Sequence, residues 1–186
     1  MAEKLELQLS DFSQLYLCKH FTNIGEDEKN RLVSFFSSQE VENNLSQIGS
    51  KFLSEFAKGP IDLIEKLKLN VPNKVFIQNN GRKVSIYVFD QHIGTTGIIH
   101  RNAIPSEFRE QIYTEKRGKS IVFVWKSREE VFKNQLVLIT DNEQVITCFP
   151  GLYAPPLPSS EMTEVELNES MDFWGQHVFI CCESQP

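Results

Sequence analysis

The segment DQHIGTTGIIHRNAIPSEFR concentrates side chains that could take part in acid–base chemistry. It contains His92, His100 and Arg101, and Lys126 follows shortly after it. Cleavage of RNA without a metal ion needs a base for the ribose 2′-proton, an acid for the leaving oxygen and a cation at the phosphate. These four side chains offer those chemistries. The segment therefore predicts a site for metal-independent RNA cleavage.

A structural interpretation of the same segment stays open. In that interpretation Gly94 and Gly97 shape a turn, and the two histidines lie half-buried at strand ends. The sequence has no phosphate-binding loop, nucleophile elbow or HExxH zinc motif. In a strand, His177 and Cys181 would lie about 13 Å apart, too far to share one ion. We therefore predict no metal and no cofactor.

The elements that must position these residues change character near Pro72. Before it, apolar residues recur at helical spacing, and after it they alternate as in strands. Asn80-Gly81 separates two such runs and predicts a hairpin. The pattern predicts an α+β fold, with N-terminal helices over 1–71 packed on a mostly antiparallel sheet within 72–186, as one compact domain. Four helices are expected, beginning at Ser10 or Asp11, within GEDE, near Ser38 (running to Gly59) and at Pro60.

Two further helices are predicted in the second part. IPSEFREQIYTEKR has helical spacing of its apolar residues, and an acidic helix should be capped near Ser159 or Ser160. The predicted strands are KVFIQ, KVSIYVF, GTTGIIH, SIVFVW, QLVLIT, QVITCF and HVFICC.

Charge is distributed unevenly along the chain. Residues 72–149 carry 11 basic and 8 acidic side chains, whereas residues 150–186 carry 6 acidic and no basic ones. Because a phosphate backbone repels carboxylates, only the middle of the chain could face nucleic acid. RNA is therefore a candidate partner of residues 72–149 alone.

The order of elements resembles the ribonuclease toxin family that includes barnase, EndoU and colicin D. The resemblance covers about residues 74–150 and rests on the layout together with His100, Lys126 and Thr147. It implies a helix packed on an antiparallel sheet whose face holds the site. By resemblance, His100 would be the base or acid, Lys126 the phosphate contact and Thr147 a positioning hydroxyl. The acidic net charge of −6 and the residues after Pro150 depart from the family pattern.

The acidic segment SSEMTEVELNESMDFW supports a hypothesis of another class. Complementary charge speeds association, and carboxylates can occupy the phosphate sites of a nuclease. The chain would then be a non-catalytic binding protein of the immunity or antitoxin kind, docking on a basic partner through Glu164, Glu166 and an anchoring Trp174. The alternative is that this helix closes the sheet with its carboxylates in water. A structural or regulatory domain is a third possibility.

The stretch CFPGLYAPPLPSS admits two interpretations. Prolines stiffen a connection and cannot be recruited as extra edge strands, which favours a structural corner. If a site lies nearby, Tyr153 could wall it beside Thr147 or stack on a base. The N-terminus lacks a basic flank and an apolar core, and no window reaches the roughly 18 apolar residues of a membrane span. The sequence thus predicts a soluble, cytoplasmic protein without membrane contact.

Overall fold

The computed structural model describes residues 6–47, 49–127 and 129–182, with only the backbone of Cys182. These residues form an α+β fold made of two compact units. Unit 1 contains the described residues up to Thr95 together with Phe132–Gly151, and unit 2 contains Thr96–Val131 and the described residues from Leu152. The sequence predicted a helical part over 1–71 and a body over 72–186, which divides the chain at one point. Each observed unit instead combines two segments that are separate in the sequence. No helix among the described residues is long and apolar enough to cross a bilayer.

Four helices of unit 1 begin where the sequence predicted. Ser10 caps the first by accepting from the Ser13 N–H. Ser37 and Glu40 form a reciprocal capping box at the third, and Pro60 occupies the first turn of the fourth. The helices are α1 (Asp11–Leu17), α2 (Glu26–Phe35), α3 (Ser38–Leu45) and α4 (Pro60–Lys68), with a 3-10 turn over Cys18–His20.

The third helix is shorter than predicted, because it ends at Leu45 rather than Gly59. The Lys51 ammonium donates to the carbonyl of Leu45 and to that of Phe21, so it satisfies an acceptor at the helix end. Lys51–Phe52 then forms a short strand, β1, instead of a further helical turn. Ile48, which the sequence placed on the same apolar stripe, lies outside the described residues.

The main sheet of unit 1 has four antiparallel strands in the order β10, β9, β3, β2. The predicted hairpin at Gly81 is confirmed, and this glycine has a φ of +84°. Asn142 and Glu143 make the other tight turn, both with positive φ. The strands are β2 (Lys74–Ile77), β3 (Lys83–Val88), β9 (Gln135–Asp141) and β10 (Gln144–Pro150), and a smaller sheet joins β1 to β4 (Gly94–Thr95) and β8 (Phe132–Lys133).

The helices and the main sheet of unit 1 share one apolar core. Leu136 and Leu138 of β9 and Tyr87 of β3 enter it from one face of the sheet, as alternate residues of a strand do. Its members include Leu17, Leu32, Leu63, Leu67, Tyr87, Leu136 and Leu138. The helices therefore belong with these strands rather than to a separate part.

Gly94 is a point of close approach rather than the turn that the sequence suggested. A Cβ built on it would lie 2.5 Å from the Lys51 carbonyl oxygen and 2.7 Å from Pro150 side-chain atoms. Only a residue without a side chain lets β4 pass between these neighbours. Pro150 thus ends its strand against a glycine.

The Gly94→Ala variant is expected to lose about 1–3 kcal/mol of unfolding free energy, because the added methyl group overpacks the site. Urea unfolding followed by circular dichroism measures the loss. Gly175→Ala, in the helix Glu164–Gln176, is the control, since a Cβ there meets nothing within 4 Å. Equal stability of the two variants would contradict the packing argument.

Unit 2 contains a second four-stranded sheet in the order β5, β11, β7, β6. The central strand β11 pairs antiparallel with β5 and parallel with β7. The strands are β5 (Ile98–His100), β6 (Ile112–Arg117), β7 (Ser120–Ser127) and β11 (His177–Cys182). The acidic helix α5 (Glu164–Gln176) is capped by Thr163, which accepts from the Glu166 N–H, and not by Ser159 or Ser160.

The helix predicted over residues 104–117 is wrong in its second half. A 3-10 turn occupies Ser106–Gln111, and β6 follows directly. Ile112 pairs with Trp125 of β7. Because isoleucine, tyrosine and threonine favour a pleated, half-buried surface, the pairing outweighs the helical spacing of the same residues.

The proline-rich segment is bonded to its own unit through backbone carbonyls. Trp174 Nε1 donates to the Pro155 oxygen (3.1 Å), and the Ser170 hydroxyl donates to the Pro156 oxygen (2.7 Å). The Ser120 hydroxyl donates to the Pro158 oxygen (2.9 Å). Prolines supply acceptors without donors of their own, so these bonds support the structural interpretation of the segment.

Candidate histidine–arginine site

Two histidines of unit 2 lie side by side on neighbouring strands. His100 ends β5, His177 begins β11, and the two residues are register partners. Their ring centroids are 5.0 Å apart, with the ring planes at 75°. Paired residues of adjacent strands share one face of a sheet, so both rings project to the same side.

The hydrogen bonds of His100 define its neutral tautomer. The Asn102 N–H donates to Nδ1 at 3.1 Å, so Nδ1 must present its lone pair. The proton is then on Nε2, which lies 3.3 Å from Gln176 Oε1. Gln176 is itself oriented, because its Nε2 donates to Asp172 Oδ1 at 3.1 Å. His100 is therefore held with an N–H donor at Nε2.

His177 has the complementary tautomer. Its Nδ1 donates to the Phe173 carbonyl at 2.7 Å, which leaves the lone pair on Nε2. The ring stacks on Phe173, with centroids 3.8 Å apart and planes at 7°. Burial lowers the pKa of His177 below 6.5, and the Phe173 hydrogen bond opposes this; His100 lowers the pKa further when it is protonated. His177 is thus a neutral base at pH 7.

A cleft of about 370 Å³ opens beside the pair. The Arg101 guanidinium lies 4.5 Å from the Phe123 ring centroid, and Arg109 Nε donates to the Ile104 carbonyl at 3.4 Å. No carboxylate is found among the described residues that line the cleft. Guanidinium groups bind phosphate and carboxylate oxygens through several donors at once, so the cleft suits an anion. Its lining residues are His100, Arg101, Asn102, Arg109, Ile112, Gly175 and Gln176.

The predicted catalytic residues fall in different units. His92 is exposed in unit 1, where its ring stacks on Phe132 at 5.7 Å. Thr147 is half-buried on β10 of unit 1, opposite Ile139. His100 belongs to unit 2, and the catalytic roles of His92 and Thr147 stay predictions.

Lys126 belongs to the same sheet as His100 but to another part of it. It pairs with Cys181, four residues along β11 from His177, which is about 13 Å at the usual rise of a strand. Its ammonium lies 5.5 Å from the Tyr113 ring centroid. Among the described residues, the cationic side chains that line the cleft with His100 are instead Arg101 and Arg109.

The other predicted binding residues lie on the proline segment and α5. Tyr153 is half-buried, Glu164 is exposed, and Glu166 is half-buried. Trp174 is buried and stacks on Phe179, with centroids 4.7 Å apart. Since it also donates to Pro155, this tryptophan is part of the interior of unit 2 rather than an exposed anchor.

Sequence reasoning missed His177, Gln176 and Arg109 as site residues. One signal for His177 was present, because one histidine ends a predicted strand and the other begins one. Antiparallel pairing of those strands would place the two histidines together. The sequence did not specify which strands are neighbours.

Among residues 6–47, 49–127 and 129–182, no group of three or more histidine, cysteine, aspartate or glutamate side chains is placed to hold a metal ion. No protein-family model matches the sequence, and no curated protein matches it either. Among solved structures, the chain is similar to the 2.35 Å crystal structure of a conserved hypothetical protein from Toxoplasma gondii ME49. The TM-score is 0.48 and the identity 10%, over 69% of this chain and 88% of that chain. The proposals below rest on the residues of this chain alone.

Proposed function

We propose that this protein is a metal-independent, ribonuclease-like enzyme whose site is the histidine–arginine cleft of unit 2. The observation that supports the proposal is the pair of neighbouring histidines with opposite tautomers. Nε2 of His177 has a lone pair, whereas Nε2 of His100 has a proton. Phosphodiester cleavage by the 2′-hydroxyl needs a base that takes and returns the proton, together with hydrogen-bond donors at the phosphate oxygens.

The chemical step assigns one role to each histidine. His177 Nε2 takes the proton of a ribose 2′-hydroxyl while the 2′-oxygen forms a bond to phosphorus. The bond from phosphorus to the 5′-oxygen of the next nucleotide breaks, and the His177 imidazolium returns its Nε2 proton to that oxygen, while His100 Nε2–H donates a hydrogen bond to a phosphate oxygen. The products are a 2′,3′-cyclic phosphate and a free 5′-hydroxyl, and no metal or redox partner takes part.

The two arginines supply the charge that the step requires. Arg101 and Arg109 line the cleft, and negative charge builds up on the phosphate oxygens in the transition state. Guanidinium groups at that position stabilise the transition state more than the ground state. Gln176 and Asp172 act as positioning residues, because Gln176 accepts from Nε2–H of His100 and is itself held by Asp172.

A chimeric oligonucleotide with one ribonucleotide in a DNA strand tests the proposal directly. With EDTA present, the protein should cut only after the ribonucleotide and leave a 2′,3′-cyclic phosphate. The His100→Asn variant should lose most of this activity. Asparagine offers an oxygen acceptor to the Asn102 N–H but has no proton donor in place of Nε2–H, so the local fold is preserved.

An all-DNA strand of the same sequence is the matched substrate, and it lacks the attacking hydroxyl. Cleavage of that strand, a requirement for magnesium, or full activity in His100→Asn would each refute the proposed step. Absence of cleavage by the unaltered protein over a range of RNA sequences would do so as well.

A second candidate function is a non-catalytic protein that docks on a basic partner through α5. Val165 and Met171 are exposed on this helix, beside the exposed carboxylate of Glu164. Burial of Trp174 removes the anchor that the sequence suggested. A pull-down at low salt with Val165→Lys as the control variant tests this function, which fails if both forms recover the same basic proteins.

A further inference from the structure

The edge of the main sheet in unit 1 exposes apolar side chains. β2 is the terminal strand of that sheet, and it pairs only with β3 among the described residues. Val75 and Ile77 share one face of β2 and remain 45% and 64% exposed. Leu69 and Val71, which precede the strand, are exposed as well. β2 is short, with four residues, but its unpaired edge with exposed apolar side chains can still act as a template for another strand.

Some backbone N–H and C=O groups of β2 point away from β3, towards the open edge of the sheet. The Gln78 N–H donates to the Arg82 carbonyl at 2.8 Å, so this residue faces β3. In an antiparallel pair, inward-facing and outward-facing residues alternate. The N–H and C=O groups of Val75 and Ile77 therefore point to the open edge, where an added strand would bond them.

The charge of the β2–β3 hairpin indicates which kind of strand could pair with the open edge of β2. The hairpin of residues 72–89 contains Lys74, Arg82 and Lys83 and no acidic residue. Lys83 is the register partner of Ile77, so the lysine side chain lies beside the exposed apolar face of β2. A second copy of the same edge would bring like charges together, whereas carboxylates would complement them.

We propose that β2 binds an extended peptide in which acidic and apolar residues alternate, and that the peptide extends the sheet by one strand. The peptide backbone forms hydrogen bonds with the N–H and C=O groups of Val75 and Ile77, and its apolar residues cover the two side chains. Its carboxylates pair with Lys74, Arg82 and Lys83. This is β-strand addition, with alternate side chains setting specificity. The surface lies in unit 1 and is independent of the histidine–arginine cleft.

Fluorescence anisotropy with the labelled peptide Glu-Val-Glu-Ile-Glu-Val-Glu tests the proposal on the full chain. Binding should be saturable, and the charge-reversed peptide Lys-Val-Lys-Ile-Lys-Val-Lys should bind at least about tenfold more weakly. Equal binding of both peptides, or no binding of the acidic one, would overturn the proposal.

Two variants separate the backbone from the side chains. Val75→Pro removes one outward N–H and leaves the bonds to β3 in place, as proline is tolerated on an edge strand. Ile77→Thr keeps a β-branched residue but removes apolar contact. Each should weaken the acidic peptide about tenfold, which is about 1.4 kcal/mol. Circular dichroism of both variants checks that the fold is retained.

Analytical ultracentrifugation of the protein without peptide tests the alternative that β2 pairs with a second copy of the chain. If it forms dimers that Val75→Pro dissociates, the edge binds a second copy of the chain and the acidic-peptide proposal is wrong. Unchanged peptide affinity in both folded variants would likewise overturn it.

Discussion

Replacing His177 with asparagine is expected to lower the rate of RNA cleavage by about 10²- to 10⁴-fold, which is the usual contribution of a positioned general base. The side-chain amide can still donate to the Phe173 carbonyl, so the effect comes from the lost lone pair at Nε2. Cleavage rates of the one-ribonucleotide substrate, measured at saturation, report the change. A rate within a factor of a few of the original would contradict the assignment of His177 as the base.

The pH dependence of the same reaction gives an independent readout. A base must be unprotonated, so the rate should rise with pH and level off once His177 has lost its proton. Because burial lowers the pKa of His177, the midpoint of that rise should lie below 6.5. The His177→Asn variant should lose the rise. If His92→Asn removes the activity and His177→Asn does not, the assignment of the site to the histidine–arginine cleft is wrong, and His92, which the sequence predicted as catalytic, is needed instead.

Acid should destabilise unit 1 by about 3 kcal/mol through His20. The ring donates to the Ser50 carbonyl at 2.9 Å, and Nε2 is buried without a hydrogen-bond partner. Burial lowers the pKa of His20 from 6.5 to about 4, and nearby Lys19 and Lys51 add to the effect. Between those two values the unfolded chain binds a proton that the folded chain excludes. The stabilisation is therefore complete above about pH 6.5 and is lost as the pH falls towards 4.

Urea unfolding of the protein and of His20→Asn, at several values between about pH 7 and 4, isolates this contribution. Asparagine can donate to the Ser50 carbonyl but does not titrate. All other titratable groups are the same in both proteins, so the difference between the two curves belongs to His20. A difference that does not change with pH would show that the buried ring is not the source.

Local chemistry made much of the fold predictable. A glycine with positive φ between two alternating runs specified the hairpin of β2 and β3, and Gly59-Pro60 specified the start of α4. Where the local signal was ambiguous, tertiary pairing decided. Ile112 fits a helical stripe with Phe108 and also fits a strand opposite Trp125, and only the contact with β7 distinguishes the two.

The candidate site was predictable only in part, for the same reason. His100 and Arg101 are adjacent in the sequence, so their proximity in the cleft was predictable. His177 reaches His100 through the pairing of β5 with β11, which no periodicity specifies. Thr147 was predicted from the layout of a single sheet, and the chain instead forms separate sheets in its two units.

The central position of β11 has a consequence for synthesis on the ribosome. A nascent chain that has released β5, β6 and β7 still has a gap in that sheet, because β11 must enter between β5 and β7. The two histidines meet only after β11 has emerged and paired. If the cleft cleaves RNA, the growing polypeptide is inert towards its own messenger until that late step. In that case the timing of assembly protects the messenger without an inhibitor.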